Sequence, residues 1–290
     1  MKIRSMLLGL TWCIALLGLQ SCENIYEVPE EDIEDAVDFT QSMGLLLSAL
    51  EPIEHINSTY SFADFNRKNF DSLEGILGCK LILIDSSTQD GNGMEYDIIY
   101  SGATSKMDRK SRSGKIHVEI NYSHREIGSV TKITIDDQKP IKISNSYQFI
   151  GALSGEFEFQ RNVGDKVDLL IKKMEFNIDD EFQGLEDHLD GALKYSWISG
   201  EASQGLLYDQ LKFTGQGTVE LDENKFNFNV NLPLEKSYEL GCSDFILKGI
   251  IELKREKDQY KIDFDPFNNN ACNDIIKVYK NGKEFELRVP

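Results

Sequence analysis

The sequence is poor in the residues that most often carry chemistry. Its 290 residues hold four histidines, His55, His117, His124 and His188, and no two stand at His-x-x-x-His spacing. His117 and His124 are seven apart, which on a strand means opposite faces. No Cys-x-x-Cys occurs among the 5 cysteines. Helical zinc pairs and dithiol motifs are therefore absent. There is no glycine-rich phosphate loop and no dinucleotide fingerprint. Gly151-Ala152-Leu153-Ser154-Gly155 approaches a nucleophile elbow, but its spacing is wrong and it lies within a strand pattern. Asp179-Asp180-Glu181 and the pair Asp263 and Asp265 miss the spacing of a twelve-residue calcium loop, so they read as solvated acidic faces. Beyond the first 21 residues there is one tryptophan, Trp197, and most Phe and Tyr fall at inward positions, which weighs against a sugar-binding platform. Cations are scarce, 31 Lys and Arg against 49 Asp and Glu, for a net charge of -18. That excludes nucleic acid as a partner and electrostatic docking on an anionic bilayer. The 6 prolines and 40% hydrophobic residues exclude a disordered polymer. No catalytic residue, metal site or cofactor is expected, and the chain reads as a non-enzyme. Paired acids for glycosidic chemistry cannot be singled out among 49.

What is present begins at the N-terminus. Lys2 and Arg4 precede an apolar run from Met6 to Gly18, too short to span a membrane and of the length of a secretory leader. Leu19-Gln20-Ser21-Cys22 resembles the lipobox of bacterial lipoproteins, although Gln20 is an unusual filler there. The resemblance implies that residues 1–21 are a signal peptide, cut before Cys22. It also implies a diacylglycerol thioether on Cys22 and an acyl chain such as palmitate on its amine. Two or more chains hold a protein stably where one does not. Cys13 is lost with the leader. Residues 22–30 make a short polar tether ending near Pro29, and the membrane, reached through Cys22, is the one partner implied.

Residues 31–290 are expected to form one domain. Ile33, Ala36, Val37, Met43, Leu46, Leu47 and Leu50 recur at steps of three and four, which predicts an amphipathic helix packed on a sheet. Glu30, Glu31 and Asp32 suit its start, and Pro52 is expected to end it. From about residue 78 the period is two. Ile116, Val118 and Ile120 alternate with polar residues, as do Phe157 and Phe159, then Phe226, Phe228, Val230 and Leu232, then Ile262 and Phe264. Turn signals stand at Asp90-Gly91-Asn92-Gly93, at Gly128, Gly164, Gly200 and Gly215-Gln216-Gly217, and most strongly at Asn281-Gly282. Asp179 to Leu193 reads as a short helix or a loop. About a dozen strands with short connections predict antiparallel meanders. The fold class is mainly β: a single large antiparallel domain, either a sandwich or a strongly curved, partly open barrel, with one N-terminal helix.

Three cysteines remain besides the anchor: Cys79, Cys242 and Cys272. Cys242 and Cys272 each precede a strand, and in a meander those strands run the same way with one between them. Both cysteines then lie at one end of the sheet, where a Cα gap of roughly 6 Å is closable by a disulfide. Cys79 is the odd thiol, either a buried small hydrophobe or a competitor for that bridge.

The order of features resembles a family of uncharacterised Bacteroidota lipoproteins. The resemblance rests on Arg112-Ser113-Gly114-Lys115-Ile116-His117-Val118, Tyr260-Lys261-Ile262-Asp263-Phe264, Cys272-Asn273 and Asn281-Gly282-Lys283. The family commonly has Gly where Asp265 stands, and a further cysteine near Ala103-Thr104. Its absence here implies a free Cys79. The family implies a lipid anchor in the outer membrane, facing either the periplasm or the exterior, and brings no activity. The functional expectation is a non-catalytic binding or scaffold module of the cell envelope. The alternatives are a carrier that encloses a hydrophobic ligand between curved sheet and helix, and a glycan or peptide hydrolase.

Overall fold

The computed structural model describes residues 33–59, 77–85, 93–121, 126–145, 149–164, 166–178, 185–200, 209–239, 242, 246–270, 272 and 275–288. The leader, Cys22 and its tether, His124 and Asp179 to Gly184 lie outside them, as does most of the turn at Asp90-Gly93. The helix α1 (Glu34–Thr59) precedes fourteen strands among the described residues. They are β1 (Cys79–Asp85), β2 (Met94–Thr104), β3 (Ser111–Ile120), β4 (Val130–Ile135), β5 (Ile141–Ser144), β6 (Phe149–Asn162) and β7 (Lys166–Asn177). The second half comprises β8 (Asp187–Ser199), β9 (Gln210–Leu221), β10 (Asn224–Ser237), β11 (Ile246–Arg255), β12 (Asp258–Asp263), β13 (Ile275–Lys280) and β14 (Lys283–Arg288).

Period-two patterning translates directly into one antiparallel sheet. In β10, Phe226, Phe228 and Val230 point inward and are buried while Asn227 and Asn229 are exposed. The sheet order follows the chain from β1 to β14, except that β5 bridges β3 and β6 while β4 also pairs β6. A single open sheet selects the curved, partly open architecture over the sandwich. Asn281-Gly282 turns β13 into β14 with both residues at positive φ, 51° and 79°. The segment from Asp187 onward is strand, with Leu189 and Leu193 buried; their near-helical spacing coincides with a strand's inward alternation. Gly215-Gln216-Gly217 likewise lies inside β9 and turns nothing back. Gly215 instead bends its strand, as do Gly114, Gly155 and Gly249, all with φ between 123° and 145°. Such glycine kinks are how a sheet curls.

How far it curls follows from the helix. Ser48 of α1 meets Arg112 on β3, and Glu51 meets Lys236 on β10. Three helical residues advance about 4.5 Å. In the sheet order β3 and β10 are six steps apart, which on a flat sheet is roughly 29 Å at about 4.8 Å a step. Both strands reach one turn of helix only because the sheet wraps around it. Glu54 meets β8 through Tyr195, Asn57 meets β2 through Tyr96, and Asp35 meets β12 through Tyr260. The concave side is therefore occupied by α1. Phe39 lies 5.3 Å from the Phe228 ring, and that ring covers Gly191 and Gly217, where a Cβ would sit 3.1 and 2.6 Å from it.

Two expectations about α1 are corrected. Pro52 does not end it: the helix continues to Thr59. Nor is its burial one-sided. Ile33, Ala36, Met43, Leu46, Leu47 and Leu50 are buried as expected, but so are Ser42, Ser48, Glu51, Glu54, His55 and Asn57. A helix inside a curled sheet has little solvent side, so its polar residues go inward and take partners there.

Candidate functional site

Pro52 lacks the N–H that the Ser48 carbonyl would accept in an unbroken helix. Arg112 supplies the missing donors. Its Nε and Nη2 donate to that carbonyl at 3.1 and 2.8 Å, and Nη1 and Nη2 each also donate to the Asp108 carboxylate. Lys110 Nζ donates to Ser48 Oγ at 2.8 Å. Arg112 is 1% exposed. Burial opposes the charge of Asp108, but the Arg112 guanidinium, its hydrogen bonds and Lys110 outweigh it and hold the carboxyl below its usual range. The same ion pair raises Arg112 against its own burial.

Below this lies a second polar group, where β6, β8 and β10 end and β9 begins. Lys236 Nζ stands 3.0 Å from Glu51 Oε1, an ion pair by distance in which neither Glu51 oxygen finds an aligned hydrogen-bond donor. Tyr195 donates to Glu54 at 2.5 Å. Trp197 Nε1 donates to Asp209 Oδ2 at 2.8 Å, and Arg161 lies 4.5 Å over the Trp197 ring. Burial, then the Glu54 carboxylate, pushes the Tyr195 phenol up. Burial, then Glu51, Glu54 and Asp209, does the same for Tyr238. Burial lowers His55.

Each acid here faces a cation, a phenol or an indole, so the arrangement ties helix to sheet. Among the described residues no group of three or more His, Cys, Asp or Glu is arranged to hold a metal ion. No described helix is long and apolar enough to cross a membrane. On the convex face His117 Nδ1 is 3.0 Å from Asp97, with Glu95 and Glu119 each 3.6 Å from Nε2, a solvent-facing cluster. Ser154 is buried inside β6. Asp263 and Asp265 accept from turn backbone amides.

Cys242 and Cys272 form a disulfide with a Cα separation of 5.0 Å, joining the β10–β11 and β12–β13 connections at one end of the sheet. Cys79 is buried and takes no part in a disulfide among the described residues. Sequence reasoning picked out Arg112 within a recurrent run but did not foresee its role. The available signal was Pro52 inside a helical pattern, which requires a donor from elsewhere. Nothing in the local pattern pointed to Glu51, Glu54 or Lys236. No protein-family model matches the chain, and neither a curated protein nor a solved structure proves similar to it.

Proposed function

We propose that this chain is a lipid-anchored module of the cell envelope, acylated at Cys22, that binds or organises partners without catalysis. The observation that carries the reading is the position of α1. The concave side of the curled sheet, where a carrier of this shape would hold its cargo, is taken by the protein's own helix. Buried polar groups there hold one another: Lys110 with Ser48, Arg112 with Asp108, Tyr195 with Glu54 and Trp197 with Asp209. Interaction then falls to the convex face and the loops, where lysines and carboxylates of neighbouring strands pair, as in Lys172–Glu158 and Lys194–Asp168. In a Gram-negative cell the outer membrane is the membrane concerned.

Mass spectrometry of the protein from a membrane fraction tests the anchor. An N-terminal peptide beginning at a triacylated or diacylated Cys22 supports it, and an unmodified thiol or a retained leader refutes it. Incubation of the purified chain with fatty acids and phospholipids tests the rest. Stoichiometric retention of a lipid other than the Cys22 acyl groups refutes the scaffold reading in favour of a carrier.

A further inference from the structure

Buried charge is divided unequally between helix and sheet. Among the described residues eight charged side chains are buried: Glu51 and Glu54 on α1, and Asp108, Lys110, Arg112, Arg161, Asp209 and Lys236 on the strands and their connections. Four cations and two carboxylates leave the sheet side two charges positive; the helix brings two negative charges. The sign of that inner surface is the reverse of the chain's net -18. A pair of uncompensated charges inside a protein is not sustained, because desolvation costs each several kcal/mol. Shape alone would admit an apolar helix into the same curl. Charge admits only one that brings two acids to the right places.

The contacts also fix where those places are. Ser48, Glu51 and Glu54 are held from β3, β10 and β8 in turn. Sliding the helix by one residue would move it about 1.5 Å and rotate it about 100°, carrying every one of these groups away from its partner.

We infer that α1 is seated by a charge lock, in which Glu51 and Glu54 are the internal counter-ions of a positive inner sheet face and set the depth and rotation of the helix. The inference rests on the packing alone and stands whether or not Cys22 carries lipid. It makes α1 a fixture of the interior and not a movable lid. The Glu51–Lys236 pair is the point of attack, since an intact pair exchanged for apolar residues is nearly neutral while a half pair is costly.

The test is a double-mutant cycle in the full chain, with Glu51→Met, Lys236→Met and both together. It is read by hydrogen exchange of amides 45–57 and by the urea midpoint. Each single variant is expected to lower protection of those amides on the order of 100- to 1,000-fold, and the double variant to return within about tenfold of the parent. A double variant no better protected than the worse single variant overturns the lock, as do single variants that change nothing. Should neither single variant fold, the double decides alone: folded and protected it supports the lock, unfolded it overturns it. Leu50→Ala combined with Lys236→Met serves as the control and is expected to show no recovery.

Discussion

Arg112 is the residue on which most converges. It replaces the hydrogen bonds that Pro52 denies to Ser48, and it holds Asp108 inside the fold. Arg112→Met is expected to cost about 3–5 kcal/mol, because it strands a buried carboxylate and a backbone carbonyl together. Pro52→Ala in that background should recover about 1 kcal/mol by restoring the helix's own donor. Urea unfolding of the two variants checks both figures. His55 gives a pH signature. Burial lowers its folded pKa below the ordinary 6.5, so the unfolded chain takes up a proton first. The stability it contributes is full above about pH 6.5 and is lost as pH falls towards the folded value. Asp108, depressed below 3.8, has the same sign and loses its contribution as pH falls below that value. Thermal unfolding across pH should show a decline beginning near pH 6.5 that is absent in His55→Gln, and a second below about pH 4 that is smaller in Arg112→Met.

At the scale of elements, glycines separate two kinds of demand. Gly155 has φ 144°, and a Cβ there would lie 2.0 Å from the Lys173 carbonyl, so Gly155→Ala forces β6 and β7 apart. A loss of about 2 kcal/mol or more in denaturant unfolding is expected, since both strain and a broken ladder contribute. Gly44 is the opposite case. It is exposed in the middle of α1, and a Cβ would meet nothing within 4 Å. Gly44→Ala should therefore raise stability by about 0.5–1 kcal/mol, measured the same way. The strands themselves were legible because a sheet with one face inward writes its alternation into the chain; the runs at Phe226–Val230 and Ile116–Ile120 are examples. The segment after Asp187 was not, because Leu189 and Leu193 satisfy both periods at once. The extent of α1 was hidden by Pro52, whose cost is met by a side chain 60 residues away, beyond any local pattern.

For the molecule as a whole, the disulfide was within reach of sequence because a meander sends alternate strands the same way, which brings the starts of β11 and β13 to one end. Its 30-residue separation corresponds to about 3–4 kcal/mol in the chain-entropy account. Replacing Cys242 and Cys272 by Ser should lower the urea-derived stability by that amount and leave Cys79 unreactive to thiol reagents in the native state. The polar interior was not legible, because its members come from α1, from connections and from strand ends scattered between residues 51 and 236 and meet only once the sheet has curled.

Asp35 on the first turn of α1 finds its partner in Tyr260, 225 residues further along, while Ser48 meets Arg112 after only 64. A ribosome therefore delivers the helix first and finishes its surroundings last, with the opening turn waiting longest. Chains truncated from the C-terminus should strip that turn of support before they disturb the proline-containing half, so premature stop products would fray from the N-terminal end of the helix inward.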